Sequence, residues 1–525
     1  MAVLKVAAVF TDHLVLQRDK EIVVWGTVYG RENREIFVEI GTNKVMAILQ
    51  GNRFEAVLPK MEAGGPYCLT VSTEGETHTF HDVMIGEVWL AGGQSNMELE
   101  LRNSKDGEKA VEAMKDSRIR FYQVNRKSFI DDAFLKEEEK NSWQVAADGD
   151  CGTWSAVATY FAKEVAQMLN VTVGIIGCNW GGTSASAWVS EEDLKGDEQL
   201  ETYLQEVKEA MGDKTLEEYE KKREEYFAWY EVWQKKIDGL YEERPDILWS
   251  EALEIAGESL WPEPLGPKSP YRPCGLYETM LRRVCPYTLR GFLYYQGESD
   301  DHKPESYEKL LTALIGRWRK DWREDSLPFL FVELPMYLGK QDVDRGNWAK
   351  IRLVQQAVFE KVKDTALTCI LECGEFDNIH PVDKEVVGKR LAMQAFYHVY
   401  NVEPAKEKVD GPRYLSHRVE GNKMVVEFTN VGDRLIYKAD RQYANSRKFY
   451  VPVEKPFAVI SENGFEIAGN DGVFVPANIE VNKTSVTLSS ALVKQPVAVR
   501  YAFHNYSPVT IYNSNQLPLS TFSTK

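Results

Sequence analysis

A serine stands among small residues in Ala91-Gly92-Gly93-Gln94-Ser95-Asn96-Met97, directly after the apolar run at 83–91. A hydroxyl on such a turn becomes a nucleophile once a base takes its proton, and its backbone N–H can face the oxyanion that forms. A glycine–serine turn is also a common structural element, so the segment needs partners before it means chemistry. Three further segments offer them. Trp180-Gly181-Gly182-Thr183 can present an N–H to an oxyanion, and it lacks the lysine of a phosphate-binding loop. Tyr295-Gln296-Gly297-Glu298-Ser299 brings an amide and a carboxylate. Asp377 and His380 lie three apart in a loop closed by Pro381. A carboxylate there can bond one imidazole nitrogen and leave the other for a serine hydroxyl. Glu375, two residues before Asp377 in the same loop, is the rival acid. The serine segment is not a G-x-S-x-G elbow, because Met97 occupies the second glycine position.

Each segment follows an apolar run, at 83–91, 171–176, 289–295 and 366–371, and a fifth run lies at 329–334. Helical patterns such as 153–169 separate them. Apolar strands alternating with amphipathic helices predict an α/β domain with a parallel sheet over 83–400, and ligands in such sheets bind beyond the carboxyl ends of the strands. Residues 1–82 and 401–525 read as β domains, with short strands punctuated by glycine and proline turns. A helical insertion at 191–262 interrupts the alternation. The aromatic stripe of its long charged helix at 215–237 packs it on the main domain, or the insertion forms a rim or lid over the cleft. The N-terminal run at 1–10 reads as a first strand and not as a signal peptide, which sets the expectation of a cytoplasmic protein.

Composition narrows the function classes. The chain has 525 residues, 43% hydrophobic and 27% charged, in the range of globular proteins. A net charge of −17 repels polyanions, so nucleic acid is not an expected partner. No stretch of 18 apolar residues exists to span a membrane as a helix. Thirteen Trp, 25 Tyr and 22 Phe are enough for large cores and for surfaces on which sugars stack. The cysteines, at 68, 151, 178, 274, 285, 369 and 373, are odd in number and include no C-x-x-C pair, and the eight histidines include no H-E-x-x-H. Buried reduced thiols are expected, with neither a disulfide framework nor a zinc site.

Gly92-Gly-Gln-Ser-Asn-Met97, Trp180-Gly-Gly-Thr183, Tyr295-Gln-Gly-Glu-Ser299 and Asp377-Asn-Ile-His-Pro381 together resemble the four blocks of the sialate O-acetylesterase family, within the wider SGNH (GDSL-like) hydrolases. Residues 10–20, 464–474 and 497–501 resemble the terminal β segments of that family, so the likeness covers nearly the whole chain. It implies an SGNH-type parallel-sheet hydrolase domain flanked by sandwich-like or jelly-roll-like β segments. It implies Ser95 as nucleophile, His380 as base and Asp377 as its orienting acid, with the backbone of Ser95 and Gly182 as oxyanion donors. Gln296 stands where SGNH enzymes usually place an asparagine and would be the third donor. Glu298 would support the site from behind, because a carboxylate aimed at an oxyanion repels it. No metal or organic cofactor is implied. The implied substrate is a small acetylated glycan, either an O-acetylated sialate or, by the same mechanism, an acetylated xylan or mannan oligosaccharide. A sialate would call for a cation near Ser95. Arg102 and Arg272 are the candidates, although a surface salt bridge is the commoner role for each. A histidine base of ordinary pKa makes activity rise through about pH 6.5. A glycoside hydrolase would instead pair Glu298 with Asp377 or Glu375 and have no need of Ser95. A carbohydrate-binding protein without activity would leave the four strand-end segments unexplained. Oligomeric state is open at this level.

Overall fold

The five apolar runs and a sixth segment at 119–123 become one parallel sheet in the computed structural model, which describes all residues except 1–2, 31–34, 117, 245–246, 341, 403–405 and 447–460. We number its strands β1 (Glu76–Gly93), β2 (Ile119–Gln123), β3 (Val173–Asn179), β4 (Gly291–Tyr295), β5 (Phe329–Val332) and β6 (Thr365–Thr368). The spatial order is β2-β3-β1-β4-β5-β6, every neighbouring pair parallel, and Gln144–Val145 adds an antiparallel edge to β2. Strands β3 to β6 are buried along their whole length. This is why they read as unbroken apolar runs rather than alternating ones. The two faces are covered by different helices. Trp89 of β1 meets Phe161 of α2 (Ala156–Leu169) at 5.1 Å between ring centroids, while on the opposite face Trp318 of α5 (Pro304–Trp322) occupies the space where Gly92 lacks a side chain. The order reverses at β1, which lies between β3 and β4. Ligands in open α/β sheets bind outside the carboxyl ends at such a point, and Ser95 follows the end of β1 by two residues.

The boundary read at 82/83 falls inside β1. Its first half pairs antiparallel with Gly64–Thr73 of the N-terminal β region, and its second half pairs with β3 and β4. One strand thus serves two sheets, and one hydrophobic core runs from Leu4 to Phe396. Val3–Val6 is the first strand, as the N-terminal run suggested; Met1 and Ala2 lie outside the described residues. The C-terminal region forms two antiparallel four-stranded sheets with a core of its own, including Phe465, Val486 and Tyr501, that also takes in Met336 and Leu371 beside β5 and β6.

Between β3 and β4 lie α3 (Leu216–Glu243) and α4 (Trp249–Ala256). A capping box starts α3, with Thr215 Oγ1 accepting from the Glu218 N–H and Glu218 accepting from the Thr215 N–H. Its aromatic stripe does not pack on the main core. Trp233 and Ile237 join Ile247, Ala252 and Ala256 in a separate small cluster with α4. No helix among the described residues is long and apolar enough to cross a membrane. All seven cysteines are free thiols.

Candidate active site

The ends of β1, β3 and β4 lie side by side, with Gly93 level with Asn179 and Tyr295. Gly93 has φ +133, and a Cβ there would sit 2.1 Å from the Tyr295 carbonyl oxygen, so only glycine lets β1 turn out of the sheet at this point. The two glycines before Ser95 therefore serve packing, against Trp318 and the β4 backbone. The turn continues into α1 (Ser95–Glu98). Gln94 fixes it from both sides: its N–H donates to Tyr295 O at 3.1 Å, and its side chain exchanges hydrogen bonds with Ser299. Ser95 opens the helix, so its N–H has no carbonyl one turn earlier to bond.

The structure brings Ser95 and His380 together, with 2.8 Å between Ser95 Oγ and His380 Nε2. The ring is open to solvent on one side, yet desolvation by the surrounding walls and the charge of Lys384 push its pKa down to about 4. The shift runs downward from the ordinary value near 6.5 on which the expected pH limb rests.

Gly181 packs against the nucleophile, since a Cβ on it would be 3.3 Å from Ser95 Cβ. Its N–H is taken by Glu98 Oε2 at 2.5 Å, and the other Glu98 oxygen pairs with Arg126. The next N–H, of Gly182, makes no hydrogen bond among the described residues. Gly182 has φ +72, and a Cβ there would collide with Trp261 at 2.4 Å. Trp261 is half exposed and donates its indole N–H to the Tyr271 hydroxyl at 3.0 Å. An open aromatic face thus borders the glycine.

Two expected roles, those of Gln296 and Asp377, look different in the structure. Gln296 is buried and its amide is consumed. Nε2 donates to Asp300 at 2.5 Å and to Thr183 O at 3.3 Å, and Oε1 accepts from Tyr307 at 2.8 Å. It braces the ends of β3 and β4 and has no N–H left for an oxyanion. Asp377 does not bond His380. Its backbone is left-handed, φ +58, and its buried carboxylate accepts from Ser250 Oγ of α4 at 2.7 Å and from the Lys340 N–H at 2.8 Å. Glu375 is no substitute, since it accepts from the Val382 N–H at 2.9 Å and from Asn378 Nδ2 at 2.8 Å and so holds the loop that carries His380. Of the two candidate cations, Arg102 is held by Asp150 at 2.5 Å and Glu100 at 3.7 Å, and Arg272 donates to Ser128 O at 3.3 Å.

Glu298 lies beneath the turn. Its Oε1 accepts from Asn96 Nδ2 at 2.6 Å, its Oε2 is buried without a partner, and burial raises its pKa. Asn96 also donates to Ile379 O at 2.9 Å, tying the serine turn to the histidine loop, and accepts from Lys384 Nζ at 2.5 Å. Sequence reading missed Asn96, Glu98, Ser250 and Lys384. Asn96 and Glu98 sit inside the serine segment and could have been asked what they hold. Lys384 carried a signal too: a lysine opening a helix stands at the wrong pole of the helix dipole.

Comparisons with known proteins place the chain in a family. The chain is 26% identical to a mouse sialate O-acetylesterase over 431 residues, covering 74% of this chain and 72% of that one. It is 24% identical to the human sialate O-acetylesterase over 460 residues, covering 78% and 75%. Among solved structures, a carbohydrate acetylesterase from Xanthomonas citri matches with a TM-score of 0.73 and 25% identity over the full length of both chains. The family described as carbohydrate esterase, sialic acid-specific acetylesterase, matches residues 85–220 and 257–396, more than half of the chain and all four strand-end segments. The break in that match falls on α3 and α4, and the chain belongs to the sialic acid-specific acetylesterase family of carbohydrate esterases.

Proposed function

We propose that the protein is a serine carbohydrate O-acetylesterase of the SGNH type, acting through a Ser95–His380 pair. The 2.8 Å contact between Ser95 Oγ and His380 Nε2, at the point where the strand order reverses, carries this reading. Ser95 Oγ attacks the acetyl carbonyl carbon while His380 Nε2 takes its proton. The oxyanion is held by the N–H groups of Ser95 and Gly182. Collapse breaks the ester bond, and the sugar hydroxyl leaves with the proton from His380. Water then adds to the acetyl-enzyme, His380 taking one proton, and acetate leaves as Ser95 regains its own. Loss of one oxyanion donor lowers kcat on the order of 10²–10³-fold.

Asp377 serves this pair through the loop, by locking it to α4 and to Lys340, and α3 with α4 form an insertion against the histidine side of the cleft. Trp261, half exposed beside Gly182, supplies the face on which the sugar ring stacks. The engagement of Arg102 by Asp150 and Glu100 leaves Arg272, whose Nε is buried without a partner, as the cation for a sialate carboxylate. Acetate release from a panel of acetylated sialic acid, xylo-oligosaccharides and manno-oligosaccharides tests both levels. Release from any of them supports the esterase, the preferred sugar decides the substrate, and release from none overturns the reading.

A further inference from the structure

Lys384 is 1% exposed, at the first position of α6 (Lys384–His398). Lysine is among the side chains least often buried unless it is paired, and this one has no carboxylate within 4 Å among the described residues. Its one side-chain hydrogen bond goes to a neutral amide, Asn96 Oδ1, at 2.5 Å. The ammonium also lies 5.1 Å from the centre of the Tyr295 ring, at the end of β4. Asn96 follows Ser95 directly, and its Nδ2 holds Glu298 and Ile379 O, the latter one residue before His380. The ammonium thus touches a side chain that ties the nucleophile turn to the base loop.

The charged and titratable groups around the site show what this ammonium faces. Glu375 and Asp377 on the histidine loop are occupied by Val382, Asn378, Ser250 and Lys340, and Asp383 bonds Lys105 at 3.1 Å. Glu98 of α1 is paired with Arg126. Glu298, from the turn after β4, and Cys373, from the turn after β6, act on Lys384 only through space, together with Glu375 and Asp383. Burial outweighs all four and lowers the lysine to about 8, which leaves it mostly charged at neutral pH. Desolvation first, and then the Lys384 charge, lower the pKa of His380.

We propose that Lys384 is a positioning residue of the deacetylation, acting through Asn96 on Ser95 and by its charge on His380. The inference rests on the Ser95–His380 reading above. A like charge beside a base disfavours the protonated ring, so His380 stays ready to accept the Ser95 proton in acid, where an ordinary histidine would be blocked. The sign follows from the direction of the shift. Activity is lost as pH falls through the pKa of His380, and removing the lysine charge moves that limb to higher pH.

The test is kcat and KM for an acetylated oligosaccharide and an aryl acetate, from pH 3.5 to 9, for the wild type and for Lys384→Arg, Lys384→Gln and Lys384→Met, each checked for fold by circular dichroism. Gln keeps a donor for Asn96 and removes the charge; Arg keeps the charge. We expect the wild-type acid limb well below pH 6.5. We expect it to move up by about half a pH unit or more in Gln and Met and to stay low in Arg, with kcat falling further in Met than in Gln and KM little changed. An unmoved limb in a folded Gln or Met variant overturns the proposal, as does a wild-type limb near 6.5. Should Met fail to fold, the Gln and Arg profiles decide alone. Full activity of Ser95→Ala would instead strike the underlying esterase reading, so the two failures are told apart.

Discussion

Ser95 is held from beneath, by Gln94 on the end of β4 and by Asn96 in a buried network, whereas His380 hangs from a loop whose carboxylates point away from it toward Ser250, Lys340, Val382 and Asn378. The nucleophile half is built on strand ends of the sheet. The base half depends on α4, which lies between β3 and β4 in the chain. Position is therefore fixed by the sheet for Ser95 and by loop bracing for His380. A residue that looks like a triad acid in the sequence can act as a brace.

The largest expected effect is shared by both halves. Ser95→Ala and His380→Ala should each lower kcat by about 10⁴-fold or more in folded protein, and the double variant should add little, because the pair acts as a unit. Strongly additive losses in acetate release would break the pair apart. On the nucleophile side, Gly182→Ala should cost about 10²-fold in kcat. The added Cβ meets Trp261 and the φ of +72 resists a side chain. Unchanged turnover would remove Gly182 from the oxyanion site. On the base side the smallest effects carry the most information. Asp377→Asn keeps an oxygen for the Lys340 N–H and an amide for Ser250, so bracing survives and kcat should fall only a few-fold. Asp377→Ala loses both bonds and should fall further, with Ser250→Ala between them. A loss near 10⁴-fold in Asp377→Asn is the mark of a carboxylate bonded to the imidazole, and would return Asp377 to that role.

These differences follow what a sequence can and cannot show. The parallel sheet was legible because strands buried on both faces must be apolar throughout, and the strand ends then pointed to Ser95, Gly182 and the Gln296 segment without any coordinates. Ser95 and His380, 285 residues apart, were legible as a pair only through their positions at those ends. The role of Gln296 was not, because nothing local says that Asp300, Thr183 and Tyr307 converge on its amide. Asp377 was read by its spacing to His380, but a left-handed backbone turns its carboxylate toward Ser250, 127 residues away in the chain. The 82/83 boundary rested on a change of pattern. That change marks where β1 passes from a half-exposed sheet into a buried one, not where one strand ends and another begins.

Covalent labelling tests the central claim most directly. The protein is treated with an organophosphonate at several pH values, residual acetate release is followed, and the modified peptide is identified by mass. The Ser95–His380 account predicts complete inactivation with a single adduct on Ser95, slowed by orders of magnitude in His380→Ala. Inactivation with Ser95 unmodified, or labelling of Ser95 at the same rate without His380, would contradict it.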